Sequence, residues 1–550
     1  MMPTTGTPIL DAGTPAAPDT GARIAWQRRL VGALTDPARY PHPVTRVDVV
    51  ETHISWVLLA GDHAYKLKKS LNLGFLDFST LDNRRFACEE ELRLNRRTAP
   101  DIYIDVVAIG GSVDDPRIGD AAHALEYAVW MHRFARDEGL DFVLARGNLA
   151  RTDIAQLAAM IADFHAGAER DTRGVYGMPA AVLAPALQNF DQTLATPPGA
   201  DVVAQLKALR QWTESEHGRI SPLLAERVLG GFVRDCHGDL HLANLVRHGG
   251  RIVAFDCIEF NPALRRIDVF SDLAFTLMDL HHRGRPDFAR LALDTYLERT
   301  GDWEGTLLLP FFLAYRAMVR VKVAAIRASE PDVPEDARQA ALADCRAHVR
   351  LAAGFTHKEA PRLIITNGLS GSGKSHVAAA LIEARNWVRV RADVECKRLA
   401  GPAPMGRSGA ALHQDMYSTP FTAKVYAHLE TLAQRLLGAG LSVVVDATFL
   451  RCHQREQFRS LAARCNVPFV ILAVKADPAE MMRRIQTRNA SGDDASEATL
   501  PVLEAQTASA EALDAREACH AVQVDTSIPL DAQALASRVE THTVSARPDS

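Results

Sequence analysis

The spacing of hydrophobic positions changes character near residue 360. From Arg362 onward, short β-branched runs at 363–366, 387–391, 443–446, 469–474 and 522–524 alternate with helix-length segments. That alternation predicts βαβ units, and therefore a doubly wound parallel sheet with helices on both faces. Upstream, from about Ile24 to Ala352, the pattern is mixed. Short strands near 55–59 and 64–67 precede a charged helix over 83–97, and long Ala/Leu/Arg helices follow over 183–227 and 287–350. Residues 1–20 are rich in Pro, Thr, Gly and Ala without periodicity and read as a disordered leader. The expected organisation is an N-terminal domain over 21–352, a linker at 353–361, a C-terminal domain over 362–525 and a polar tail at 526–550.

Composition narrows the function. The 550 residues carry 47% hydrophobic and 23% charged side chains, which excludes wholesale disorder and a coiled-coil rod. The formal charge of −5 argues against a generic nucleic-acid binder, whose affinity needs a dense field of cations. The longest apolar stretch, 307–315, is broken by Pro310 and falls short of a membrane span, so a cytoplasmic protein without membrane contact is expected. Eight cysteines without a C-x-x-C pair fit reduced, mostly buried thiols. Only ten of the 62 basic residues are lysines, so lysines at informative places stand out: Lys66, Lys68 and Lys69 together, and Lys374.

Gly368-Leu-Ser370-Gly371-Ser372-Gly373-Lys374-Ser375 matches G-x-x-x-x-G-K-[ST] and lies between a predicted strand and a predicted helix. Its glycines let main-chain N–H groups turn onto phosphate oxygens, Lys374 adds a charge on the β- and γ-phosphates of ATP, and the Ser375 hydroxyl can ligate Mg²⁺. Asp393 and Asp446 end the next two strands, where a doubly wound sheet meets its ligand. Asp393 is placed either to take a proton from an acceptor hydroxyl or to cap the following helix, and Asp446 either to serve Mg²⁺ or water or to cap in turn. Asp477-Pro-Ala-Glu480 reads as a helix start with a capping box. Arg484 and Arg488 on that helix share a face, and form either a lid over transferring phosphate or a solvated basic face.

Over 362–525 these motifs resemble the small P-loop kinases that include the zeta-toxin and phage polynucleotide kinase group. The resemblance is carried by the phosphate loop, Arg391-Ala-Asp393, Asp446-Ala-Thr448 and the Arg484/Arg488 pair. It implies that Asp393 activates the acceptor. Where relatives often have an arginine three residues after that Asp, this chain has Cys396.

In the N-terminal region, His237-Gly-Asp239 is followed by Asn244 and, after a short predicted hairpin, by Asp256. An Asn cannot act as a base, whereas a strand-end Asp suits a metal. The set therefore sorts into a base, Asp239, and two Mg²⁺ ligands, Asn244 and Asp256. Such a site also needs a phosphate-pairing lysine on a strand and a glutamate on a helix. Lys66 and Lys68 share one strand face, with Lys66 favoured narrowly, and Glu91 is the expected partner. With the run from Asp268 to Ala274, these residues make the region resemble the aminoglycoside phosphotransferase family, and the bacterial proteins that fuse such a domain to a P-loop kinase-like domain. The resemblance implies a protein-kinase-like fold and the same roles for Asp239, Asn244 and Asp256. No glycine-rich nucleotide loop precedes Lys66. The leading expectation is a bifunctional ATP- and Mg²⁺-dependent phosphotransferase acting on a hydroxyl of a small-molecule or nucleotide-like acceptor. The rival is a regulatory protein that binds ATP without transferring phosphate.

Overall fold

The computed structural model describes residues 20–74, 76–195, 199–330, 333–401, 419–491, 496 and 498–542. All but the last residue of the expected leader, and 543–550 of the expected tail, lie outside them. The chain groups into two compact units, 1–139 with 253–264, and 140–252 with 265–550.

The first unit is built on a six-stranded antiparallel sheet in the order β1-β2-β3-β6-β4-β5. Its strands are β1 (Val47–Glu51), β2 (Ser55–Ala60), β3 (His63–Lys68), β4 (Tyr103–Gly111), β5 (Pro116–Ile118) and β6 (Glu126–His132). The period-2 alternation of β3 turns Tyr65 and Leu67 into a core with Trp56, Leu58 and Ile109. Lys66 and Lys68 face the other way, toward the helix Leu81–Asn95. Thr80 caps that helix by accepting from the Asn83 N–H.

In the second unit, β7 (Val233–Asp235) leads into the loop at 237–242 and then into β8 (Leu245–His248); β9 (Arg251–Ala254) runs from this unit into residues 253–264 of the first, and β10 (Arg266–Asp268) pairs back with β7. The helix Val269–His282 is buried at every position from Val269 to Leu280. An element surrounded on all sides can place polar groups only where they are satisfied. Asp272, Thr276 and Asp279, at i, i+4 and i+7, share the face that grips the 237–242 loop. Asp272 accepts from the N–H groups of His237 and Gly238 at 3.0 and 2.8 Å. Thr276 donates to Leu240 O at 2.6 Å, and Asp279 accepts from Leu242 N–H at 2.9 Å.

The same unit contains a five-stranded, all-parallel sheet in the order β12-β13-β11-β14-β15. The strands are β11 (Leu363–Asn367), β12 (Val388–Arg391), β13 (Val443–Asp446), β14 (Phe469–Lys475) and β15 (Ala521–Asp525), each within a residue or two of its sequence expectation. Central strands buried on both faces read as continuous apolar runs, which is why they were legible. The expected tail from 526 is corrected in part. The helix Ala532–Thr541 inserts Leu535, Ala536 and Val539 into the core beside Val377, Leu381 and Val524. Its three apolar positions, hidden in a polar stretch, meet a complementary groove.

The helix Pro286–Thr300 packs against this parallel-sheet region. Trp303 Nε1 donates to Glu395 at 3.3 Å, Arg398 donates to Glu298 O at 2.7 Å, and Arg290 donates to Glu383 O at 2.6 Å. Among the described residues no helix is long and apolar enough to cross a membrane. Cys88, Cys236, Cys257 and Cys345 are buried thiols, whereas Cys452 and Cys519 are exposed and Cys396 and Cys465 half-buried, so burial claims only half of the eight.

Candidate nucleotide and phosphoryl-transfer sites

The phosphate-loop motif sits between β11 and the helix Lys374–Ala384. Two of its glycines are dictated by space. A Cβ on Gly371 would stand 2.7 Å from Met481 O, and one on Gly368 would collide with Val474 O. Gly371 also has φ +82°. The loop is clasped from β13, since Thr366 Oγ1 donates to Ala447 O at 2.7 Å and Gly368 N–H to Thr448 O at 3.1 Å. Phe449, a bulky residue held at φ +44°, accepts from Asn367 Nδ2 at 2.9 Å. A strained conformation of this kind persists only where its surroundings over-determine it.

Above the loop opens a cleft of about 510 Å³, lined by Gly371, Gly373, Lys374, Ser375, Asp393 and Asp446 together with Arg484 and Arg488. Lys374 Nζ donates to Leu369 O at 2.8 Å. Burial pulls its pKa down to about 8, against the opposing pull of Asp446 and Asp393 and with a small push from Arg488. Ser372 Oγ and Asp446 Oδ2 are buried and have no hydrogen-bond partner among the described residues. Leaving such groups bare is costly, and a phosphate and a divalent cation are the partners these two would take. The donor set, Asp446 and the Ser375 hydroxyl, thus fits Mg²⁺.

One reading of the helix Pro478–Ser491 is corrected. Glu480 does not close a capping box: its carboxylate binds Arg483 and Arg484, and Asp477 Oδ1 alone caps, accepting from Ala479 N–H at 2.8 Å. Arg484 lines the cleft, but it is held by Thr526 as well as Glu480, at 2.9 and 2.7 Å, because a guanidinium on a packed helix takes the acceptors it finds there. Arg488 donates to Ala498 O at 3.2 Å. Gln506, which accepts from Ser370 N–H at 2.9 Å, carried no sequence signal because it comes from a separate helix, Leu500–Ser509.

In the first unit, Lys66 and Lys68 both reach Glu91, with Lys66 Nζ at 3.0 Å from Glu91 Oε1. Lys66 also pairs with Asp256, whose carboxylate is 43% exposed. Lys68 is sealed completely by its ion pairs with Glu91 and Glu259. The five charges separate the two lysines: only Lys66 pairs with a carboxylate that reaches solvent. Charge pairing outweighs burial and holds the Lys66 ammonium well above the ordinary lysine range. Asp256 sits at φ +62°, its N–H donating to Tyr103 Oη at 3.2 Å.

In the second unit, Asn244 Nδ2 reaches the Asp239 carboxylate, with His241 Nε2 3.4 Å from Asp239 Oδ2. Burial would raise the Asp239 carboxyl, but His241, Arg320 and His237 together hold it well below the usual carboxylate range. The same contact holds His241 above the ordinary histidine value against the effect of its own burial. His241 belongs to no motif in the sequence, and its separation of two residues from Asp239 was the available signal.

His282 and His348 each stand 3.2 Å from Asp344 Oδ1. Their rings stack with centroids 3.8 Å apart, closer than the roughly 5 Å of two imidazoles splayed around one tetrahedral ion, so this cluster is a hydrogen-bonded clamp between helices.

Fold and site together define a kinase-fold region of the aminoglycoside phosphotransferase type joined to a P-loop kinase-like region. A family model described as an AAA domain matches residues 363–513. The chain belongs to one family with the uncharacterized protein Rv2004c of Mycobacterium tuberculosis, to which it is 32% identical over 478 residues, 85% of this chain and 92% of that one. Among solved structures, a choline/ethanolamine kinase family protein from Mesorhizobium loti aligns with 59% of this chain and 98% of its own at 12% identity and TM-score 0.34. A gluconokinase from Sinorhizobium meliloti 1021 aligns with 33% of this chain and 90% of its own at 23% identity and TM-score 0.23.

Proposed function

We propose that the chain is an ATP-dependent phosphotransferase with two nucleotide sites, each moving a γ-phosphoryl group to a hydroxyl of a small-molecule or nucleotide-like acceptor. The observation that carries this reading is the cleft in which the phosphate loop, Lys374, Asp393 and Asp446 converge, with Asp446 Oδ2 lacking a hydrogen-bond partner among the described residues. In the P-loop region, main-chain N–H groups and Lys374 would hold the phosphates, and Asp393 would take the acceptor proton. In the kinase-fold region, Lys66, braced by Glu91, would pair with phosphate, and Asp239, kept ionised by His241, would be the base. Asn244 and Asp256 there, and Ser375 and Asp446 in the P-loop region, would hold Mg²⁺, which neutralises charge on the transferring phosphoryl oxygens.

A second reading, nucleotide binding without transfer in the P-loop region, is favoured by one observation: Arg484 is tied to Glu480 and Thr526. ATP turnover by the wild type, Asp239→Ala and Lys374→Ala across a metabolite and oligonucleotide panel separates the two. Acceptor-dependent turnover lost in either variant supports transfer at that site, whereas tight ATP binding with no acceptor-dependent turnover favours the regulatory reading.

A further inference from the structure

A cavity of about 220 Å³ lies where the linker crosses between the two regions, and it shares no lining residue with the phosphate-loop cleft. Leu293 and Leu297, on the helix Pro286–Thr300, line it from the kinase-fold region. Trp387 and Leu441 line it from the parallel-sheet region, and Phe355 and Lys358 from the linker. A dry cavity of about 150 Å³ is large enough to take benzene. This one therefore has room for a ring or a short chain together with a small charged head.

The charges on its lining are uneven. Arg219 binds Glu216 at 2.5 Å, and Lys358 stands 3.6 Å from the same carboxylate, so two cations share one anion. Arg290 has no ion-pair partner among the described residues. Asp287, three residues before it, is taken by Arg285 at 2.7 Å, and Asp294, four residues after it, by Arg389 at 2.5 Å. Glu359, the remaining lining carboxylate, is exposed on the linker. Arg290 Nη1 donates to Glu383 O at 2.6 Å, whereas its Nε is buried and has no hydrogen-bond partner among the described residues. Burial pulls this guanidinium below the ordinary arginine range, and Asp287 and Glu359 offset only part of that pull. A buried N–H of a cation is costly to leave bare, and the acceptor that stabilises it most carries negative charge.

We propose that this cavity binds a small organic anion, an apolar body with one carboxylate or phosphate head, the head held by Arg290 and the body lying against Leu293, Leu297 and Trp387. The site is separate from both proposed phosphoryl-transfer sites and does not rest on them. Because both regions and the linker line it, its occupant touches all three. Arg389, also on the lining, donates through Nη1 to Ser375 O at 3.2 Å, so the occupant stands one side chain away from the first turn after the phosphate loop.

The test is calorimetry on the full chain with benzoate and with phenyl phosphate, in excess ADP and Mg²⁺ so that neither anion competes for a nucleotide site. Benzylamine and benzyl alcohol, of like size, serve as the cationic and neutral controls. At least one anion is expected to bind saturably with a dissociation constant below about 1 mM, and both controls at least about tenfold more weakly. Benzoate alone identifies a carboxylate ligand, and phenyl phosphate alone a phosphate ester. Arg290→Gln is expected to weaken the anion about tenfold or more, the scale of a charge-assisted hydrogen bond. Leu293→Trp, which fills the cavity and leaves Arg290 in place, is expected to abolish binding, and it serves if Arg290→Gln does not fold. No saturable binding of either anion would leave the Arg290 Nε to water and overturn the proposal. Benzylamine binding as tightly as the anions, or wild-type affinity in either folded variant, overturns it as well.

Discussion

Asn244 Nδ2 donates to Asp239 twice, to the carboxylate Oδ2 at 3.1 Å and to the main-chain oxygen at 2.9 Å. The carboxylate proposed as base is thereby fixed from within its own loop, and the loop in turn from the helix Val269–His282. Asp239→Asn is expected to lower acceptor-dependent ATP turnover by about 10² to 10⁴, the usual worth of a positioned base, with little change in nucleotide affinity. Steady-state kinetics beside equilibrium binding checks it; a parallel loss of binding would make Asp239 a structural residue.

The depressed Asp239 carboxyl and the raised His241 imidazolium have opposite pH signatures. Stability from the carboxylate is present above the ordinary Asp value of about 3.9 and is lost as pH falls through its lower folded value. Stability from the imidazolium is present below about 6.5 and is lost as pH rises through its higher folded value. The pair therefore contributes most between those limits. Denaturant melts of wild type and His241→Ala should differ most near pH 5 and converge on the alkaline side.

Lys66 and Lys68 should separate by kind of damage. Lys66→Met is expected to weaken nucleotide binding at the kinase-fold site and leave the fold intact, since of its two partners Asp256 reaches solvent and Glu91 keeps Lys68. Lys68→Met takes a buried cation from between Glu91 and Glu259 and leaves Glu91 to Lys66 alone, a broken buried ion pair that costs about 3–5 kcal/mol. Urea denaturation and nucleotide titration of both variants decide it, and equal destabilisation would erase the distinction.

With its pKa near 8, Lys374 is half deprotonated at that pH, and a bound phosphate would restore its proton. Calorimetry at pH 8 in buffers of different ionisation enthalpy should show uptake of about half a proton per nucleotide, absent in Lys374→Ala. The unfolded chain holds this proton up to about 10.5, so the contribution of Lys374 to ligand-free stability rises with pH between those values.

Leu535 is 3% exposed in the core of the parallel-sheet region. Leu535→Ala is expected to cost about 2–5 kcal/mol, measured by denaturant unfolding. A loss below about 0.5 kcal/mol, typical of surface positions, would return the helix Ala532–Thr541 to the status of an appendage.

What the sequence determined by itself was whatever lies in short-range spacing. The phosphate loop, Asp446 at the end of β13, the Asp239/Asn244 pair and the shared strand face of Lys66 and Lys68 are each written in short local spacing, whereas Asp393, expected at a strand end, stands just beyond β12 in the first turn of the helix Ala392–Ala400. A helix turn or a strand pleat turns that spacing into a common face. Contacts made across the fold were decided only by the tertiary structure. Glu259 closes over Lys68 from 191 residues away, and Asp294 takes Arg389 from 95. Glu480 binds Arg484 instead of its own helix start, and a helix inside an apparent tail completes a core. Ion pairs and apolar grooves are satisfied by whichever complementary group packing brings near, and no periodicity along the chain records that choice.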